Sequence, residues 1–180
     1  MSSKYFKNFP LIEYNGTAVR NILLKTSVLD EVFFDETNFY DYLVEDGEKA
    51  VHVAFNYYNS VDYVWLVYLS NKIKDPYFDW HLSNEEFEAF LAKKYGSVTE
   101  ALQEVVEWNL VVDGEVVSTV SPRTKQYYDD DGTLPEEFVF QAVYAYDVEF
   151  SKNEAKRRIK LIDKRYASRI SNELEKALSQ

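Results

Sequence analysis

The chain has no cysteine, only two histidines, and few of the residues that break regular structure, with five glycines and four prolines in 180 positions. Without cysteine there is no disulfide framework, no thiolate zinc site and no cysteine nucleophile, a composition that fits assembly in a reducing compartment. His52 and His81 stand in no His-Glu-x-x-His pattern, and no Gly-x-Ser-x-Gly elbow is present, so each is read as a packed or surface histidine. No glycine-rich phosphate loop or dinucleotide fingerprint occurs. No apolar run approaches membrane-spanning length, Val64 to Leu69 being only six residues, and no apolar stretch follows Lys4 and Lys7 as a secretory signal would require. Basic residues are also short in number: the net charge of -11 argues against general nucleic-acid binding, which rests on neutralising phosphates. The expectation is a soluble chain with no cofactor, no metal, no membrane and no nucleic acid among its partners.

Carboxylates are abundant, and a glycosidase needs only two of them. However, Glu85, Glu86 and Glu88 read as the solvated face of a capped helix, and Asp129-Asp130-Asp131-Gly132 lacks the spaced ligands of a calcium loop. The excess that stands out is aromatic: 15 Tyr, 12 Phe and 3 Trp, with tyrosine leading. Tyrosine joins a large apolar ring to a polar tip, which suits surfaces that become buried only on association. Charge is uneven as well. Residues 1–150 carry 11 basic and 27 acidic side chains, whereas residues 151–170 carry eight basic and two acidic. Such a basic segment is suited to docking on the body, on a neighbouring copy or on another acidic partner.

The pattern along the chain predicts an α+β protein in five stretches. Residues 1–36 read as an extended arm whose aromatics need a surface to pack on. Residues 37–82 read as strand, two helices and strand: Phe39 to Val44 alternate, Val51, Ala54, Phe55 and Tyr58 fall at helical spacing, Tyr63 to Leu69 form a second helix, Asp75-Pro76 ends it, and Tyr77 to Leu82 supply the second strand. Residues 83–108 read as two helices, opened by the capping-box spacings Ser83 to Glu86 and Ser97 to Glu100. Residues 109–150 read as a β-hairpin region around Asp113-Gly114, an acidic surface loop, and a strand from Phe138. Residues 151–180 read as one long basic amphipathic helix whose apolar stripe, from Ala155 through Ile159, Ile162, Tyr166, Ile170 and Leu174 to Leu178, must be covered.

The block from Tyr40 to Leu82, with YLVEDGE at its start and WLVYLSNKIKDP through its second helix, resembles a LysM module. Trp65, Asn71, Asp75-Pro76 and Trp80, then Lys94-Tyr95-Gly96, then Asn153-Glu154, Lys156-Arg157 and Ile159 extend the likeness over nearly the whole chain. In that order they resemble the baseplate wedge subunit 53 family of T4-type contractile-tailed phages. The resemblance implies a structural, non-enzymatic virion protein of the tail baseplate, present in six copies. It would join neighbouring wedges into a ring around the central hub and touch the other inner wedge subunits. Glycan-binding LysM modules carry Gly-Asp-Thr or Gly-Asp-Ser where this chain reads Gly47-Glu48-Lys49, and their second strand differs from Tyr77 to Leu82. Protein contact is therefore the expected use of the surface, with a peptidoglycan-binding protein of the tail tip as the alternative and a muramidase as a remoter one. The residues expected to meet partners are Tyr5, Phe6, Phe9 and Tyr14 in the arm, Asp75, Pro76, Tyr77 and Trp80 in the module, and Lys156, Arg157 and Lys160 in the basic segment. Trp65 is expected in the core, and Tyr77 and Trp80 at the surface.

Overall fold

A computed structural model describes residues 9–21 and 35–178. In chain order its strands are β1 (Leu11–Tyr14), β2 (Thr17–Arg20), β3 (Phe39–Leu43), β4 (Val105–Val112), β5 (Glu115–Val120), β6 (Phe138–Tyr144) and β7 (Arg158–Ile162). The α-helical segments are α1 (Ala50–Tyr58), α2 (Val64–Ser70), α3 (Pro76–Asp79), α4 (Asn84–Tyr95), α5 (Val98–Gln103), α6 (Pro122–Asp131), α7 (Ala145–Ala155) and α8 (Lys164–Leu178). The chain divides into two compact units, one of Met1–His81 with Lys156–Gln180 and one of Leu82–Ala155. The protein is α+β, as its patterning predicts, with helices and, among the described residues, three small antiparallel sheets.

In the first unit β3 pairs antiparallel with β7, Tyr42 opposite Ile159 and Tyr40 opposite Leu161. The strand-helix-helix-strand unit therefore exists, but its closing strand comes from beyond the second unit. The expected strand at Tyr77 to Leu82 is instead the single helical turn α3, with extended backbone at Trp80. Asp75-Pro76 is a helix start: the Asp75 carboxylate accepts from Tyr77 N at 2.9 Å and proline sits at the first helical position, where its missing N–H costs nothing. The long C-terminal helix expected over residues 151–180 is present as α8, but it begins only at Lys164. Ile159 and Ile162 fit a helical stripe, but Ile159 and Leu161 also alternate as the buried face of a strand, and pairing with β3 selects the strand.

The core of this unit gathers Val53, Ala54 and Tyr58 from α1, Leu66 and Val67 from α2, Ile159 and Leu161 from β7, and Ala167 and Ile170 from α8. Tyr58 crosses it to donate its hydroxyl to the Ile162 carbonyl at 2.8 Å, and burial pushes that phenol well above its ordinary range. Asn71, just after α2, grips β7 from 89 residues away. Its Nδ2 donates to Lys160 O at 2.9 Å and to Val67 O at 2.8 Å, while its Oδ1 accepts from Lys160 N at 2.8 Å.

Within the expected extended arm, the described residues form a hairpin, β1 with β2, closed by Asn15-Gly16 at φ 51° and 74°. Asn-Gly tolerates the two positive φ values that a two-residue turn requires. Tyr5 and Phe6 lie outside the described residues. Phe9 is buried against Leu174, Leu178 and Trp65, so α8 covers part of its stripe with the chain's own arm.

In the second unit β4 is the centre of a three-stranded sheet in the order β5-β4-β6. Asp113 and Gly114 take φ 51° and 82°, the expected hairpin turn. Ser83 and Glu86 form the expected reciprocal cap at 3.3 and 3.0 Å. α5 ends at Gln103 and not near Trp108, because β-branched Val105 and Val106 enter β4. The acidic segment expected as a loop is α6: Ser121 caps it, Pro122 opens it, and Gly132 at φ 63° ends it. β6 stops at Tyr144, and α7 takes the rest of the segment expected as strand. Where the chain enters and leaves this unit, Asn153 clips Leu82: Oδ1 accepts from Leu82 N at 2.9 Å and Nδ2 donates to Leu82 O at 3.0 Å.

Candidate protein-docking surface

α3 presents two adjacent aromatic side chains almost wholly to solvent, Tyr77 at 86% and Phe78 at 74% exposure. Their backbone is nonetheless tightly held. Asp79 Oδ2 accepts from both Lys74 N and Asp75 N at 3.0 Å, Asp75 O accepts from Phe78 N at 3.1 Å and Asp79 N at 2.8 Å, and Lys156 Nζ donates to Phe78 O. Those backbone N–H bonds, with Lys156 and Lys74 close by, hold the Asp79 carboxyl below the ordinary carboxylate range. A turn fixed in this way loses little freedom when a partner covers it. Covering both rings would remove on the order of 250 Å² from water, roughly 6 kcal/mol before the costs of association.

Beneath this turn Trp80 does the anchoring. It is 5% exposed, its indole N–H donates to Glu48 O at 2.9 Å, and its ring meets Tyr68 edge-on at 6.2 Å. Its expected role as an exposed contact is therefore corrected: the residue after Asp79 turns inward because Pro76 sets a helical turn, not a strand with alternating faces. Glu48 is equally committed. Its carboxylate accepts from Tyr42 OH at 2.8 Å, Glu45 N at 3.1 Å and Asn56 Nδ2 at 3.4 Å. Burial, followed by the bond to Glu48, pushes the Tyr42 phenol up to about 12.

Of the residues expected at interfaces, Asp75, Pro76, Tyr77 and Lys156 thus meet at one place. Phe78 belongs with them and was missed, since a strand reading would have turned one of the two neighbours inward. Arg157 is drawn into the fold, donating Nε to Val44 O at 3.0 Å, and Lys160 is exposed on β7. Tyr14 is 65% exposed on the hairpin, whereas Phe9 is 5% exposed, an internal contact and not a free one. Trp65 is partly buried against two clusters, in keeping with a packed position.

The charge asymmetry follows the structural division. Leu82–Ala155 carries 16 acidic and five basic side chains, a net -11, and the remainder carries 15 of each. The acidic field of the protein therefore belongs to the second unit, and Lys72, Lys74 and Lys156 accompany the aromatic turn in a neutral one. Among the described residues no group of three or more His, Asp or Glu side chains is placed to hold a metal ion, and no helix is long and apolar enough to cross a membrane. His52 Nδ1 accepts from Lys49 N at 3.2 Å, a local helix-start contact. No protein-family model matches the chain, and no curated protein matches it.

Proposed function

We propose that this chain is a non-enzymatic structural subunit of a contractile-tail baseplate, similar in role to the wedge subunit 53 family. It joins neighbouring wedges into a ring around the hub in the assembled virion through contacts with the other inner wedge subunits. The observation that carries the reading is the Tyr77-Phe78 pair on a turn fixed from both ends, the form of a preorganised interface anchor. Lysines beside it favour a partner surface of opposite charge. Co-expression with the other inner wedge subunits tests it, with co-purification and ring-shaped particles in electron micrographs expected. Their absence would overturn it.

The second reading, a peptidoglycan-binding protein of the tail tip, draws on the β3-α1-α2-β7 order, which has the strand-helix-helix-strand succession of a LysM module. It is disfavoured because Glu48 and Trp80 spend their polar atoms on the fold where a glycan would need donors. Saturable sedimentation with purified sacculi at physiological salt would reverse that preference.

A further inference from the structure

Among the described residues, the two-stranded sheet β3-β7 has one blocked edge and one open edge. On β7 the outward N–H and C=O of Lys160 are both taken by Asn71, and the Ile162 carbonyl is taken by Tyr58. On β3 the flanking bonds Val44 N to Arg157 O and Asp163 N to Asn38 O fix the alternation, so even-numbered residues bond toward β7. The N–H and C=O groups of Asp41 and Leu43 face outward, with no partner among the described residues. An open edge of this kind is a template for strand addition.

The chain also carries an unaccompanied hairpin. Among the described residues β1 and β2 pair only with each other, and every residue in both strands is exposed, including Leu11 at 63%, Ile12 at 43% and Tyr14 at 65%. The bond from Asn21 N to Pro10 O sets the same alternation here, leaving the backbone groups of Leu11 and Glu13 on the outer edge of β1. A lone two-stranded ribbon is marginally stable in water. Its foot is fixed, because Phe9 is buried against Leu174, Leu178 and Trp65. In this fold the hairpin and the β3-β7 sheet remain separate sheets.

We propose that β1 of one copy adds antiparallel to the open edge of β3 in a second copy, giving a four-stranded sheet β2-β1-β3-β7 across the two chains. Outward groups match when Leu11 lies beside Leu43 and Glu13 beside Asp41. That register also sets Tyr14 beside Tyr40, both exposed, and Ile12 beside the half-buried Tyr42. The one mismatch is Glu13 beside Asp41, so Glu13→Lys tightens association, about fivefold. The contact joins two different surfaces, so association yields a closed ring or an open filament according to the rotation between copies. It holds or fails independently of the baseplate reading, since self-association requires no other subunit.

The absence of native cysteine makes the test free of background. Tagged full-length Tyr14→Cys is mixed with untagged Tyr40→Cys under mild oxidation; these positions form a non-hydrogen-bonded pair in the register above, close enough for a disulfide. The expected result is a mixed disulfide well above the yield of either variant alone, lost in Glu13→Pro or Leu43→Pro chains whose circular dichroism is unchanged. Proline at either position removes an outward N–H, and using one on each partner guards against misfolding of the other. A yield no higher than that of the single variants overturns the proposal. So does intrachain crosslinking of the doubly substituted chain at high dilution, which would place the hairpin on its own β3.

Discussion

Asn71→Ala is expected to weaken the first unit by about 2 kcal/mol. The Asn71 amide makes three hydrogen bonds of 2.8 to 2.9 Å, two of them to the backbone of Lys160 on a strand 89 residues later. Each such bond contributes roughly 0.5–1.5 kcal/mol net, which for three bonds sums to about 1.5–4.5 kcal/mol. Lys160 is exposed, so water replaces part of what is lost and the lower half of that range applies. Trp65 and Trp80 lie in the first unit and Trp108 in the second, so urea unfolding followed by fluorescence in a Trp108→Phe background reports the first unit. With a slope of about 2 kcal/mol per M, the midpoint is expected to fall by about 1 M. Asn71→Asp, which keeps one acceptor but turns the donor into a charge facing two carbonyls, is expected to cost at least as much. A shift below about 0.2 M for both variants would refute the idea that Asn71 holds β7 in place.

Three further outcomes follow from the same geometry. Asn153→Ala removes both bonds to Leu82 at a position only 6% exposed, and is expected to cost about 1–3 kcal/mol in the second unit, with faster hydrogen exchange at the Leu82 amide. Burial tends to raise the Glu149 carboxyl, but bonds from Lys94 at 3.0 Å and Lys152 at 3.2 Å outweigh it and hold it below the ordinary value near 4.5. Its contribution is therefore present above that value and lost as pH falls through the lower folded one. Glu149→Gln, with both lysines about half in solvent, is expected to cost about 1 kcal/mol at pH 7, and its difference from the parent in urea midpoint is expected to shrink as pH is lowered below 4.5. Replacing residues 82–155 by a short Gly-Ser linker is expected to leave a folded first unit with buried tryptophan emission, because the β3-β7 ladder and its core need none of the excised residues.

Local signals were legible wherever a few adjacent residues settle the geometry. Asp113-Gly114 marks its hairpin, Ser83 with Glu86 marks the start of α4, and Val64 to Leu69 forms the second module helix. Asp75-Pro76 was harder, since proline is compatible both with the end of one helix and with the first turn of another. Only the Asp75 side-chain bond to Tyr77 N distinguishes them. β7 was hidden because Ile159 and Ile162 also fit the helical stripe that continues into α8, and the competing strand periodicity depends on a partner, β3, about 115 positions away. At the candidate docking surface Asp75, Pro76, Tyr77 and Lys156 stand out by residue type, while the burial of Trp80 could not be read in advance. That burial follows from the Glu48 carbonyl reaching its indole N–H across 32 residues. Asn15-Gly16 and the Ser121-Pro122 start of α6 are missed signals that local reading could have supplied.

The most direct test of the structural role is the double variant Tyr77→Ser/Phe78→Ser, co-expressed with the inner wedge subunits beside the parent chain. Both rings are exposed, so the urea midpoint is expected to stay within about 0.3 M of the parent while the yield of co-purified wedge subunits falls at least tenfold. Undiminished co-purification by the folded variant would contradict the claim that this turn is a joint between proteins.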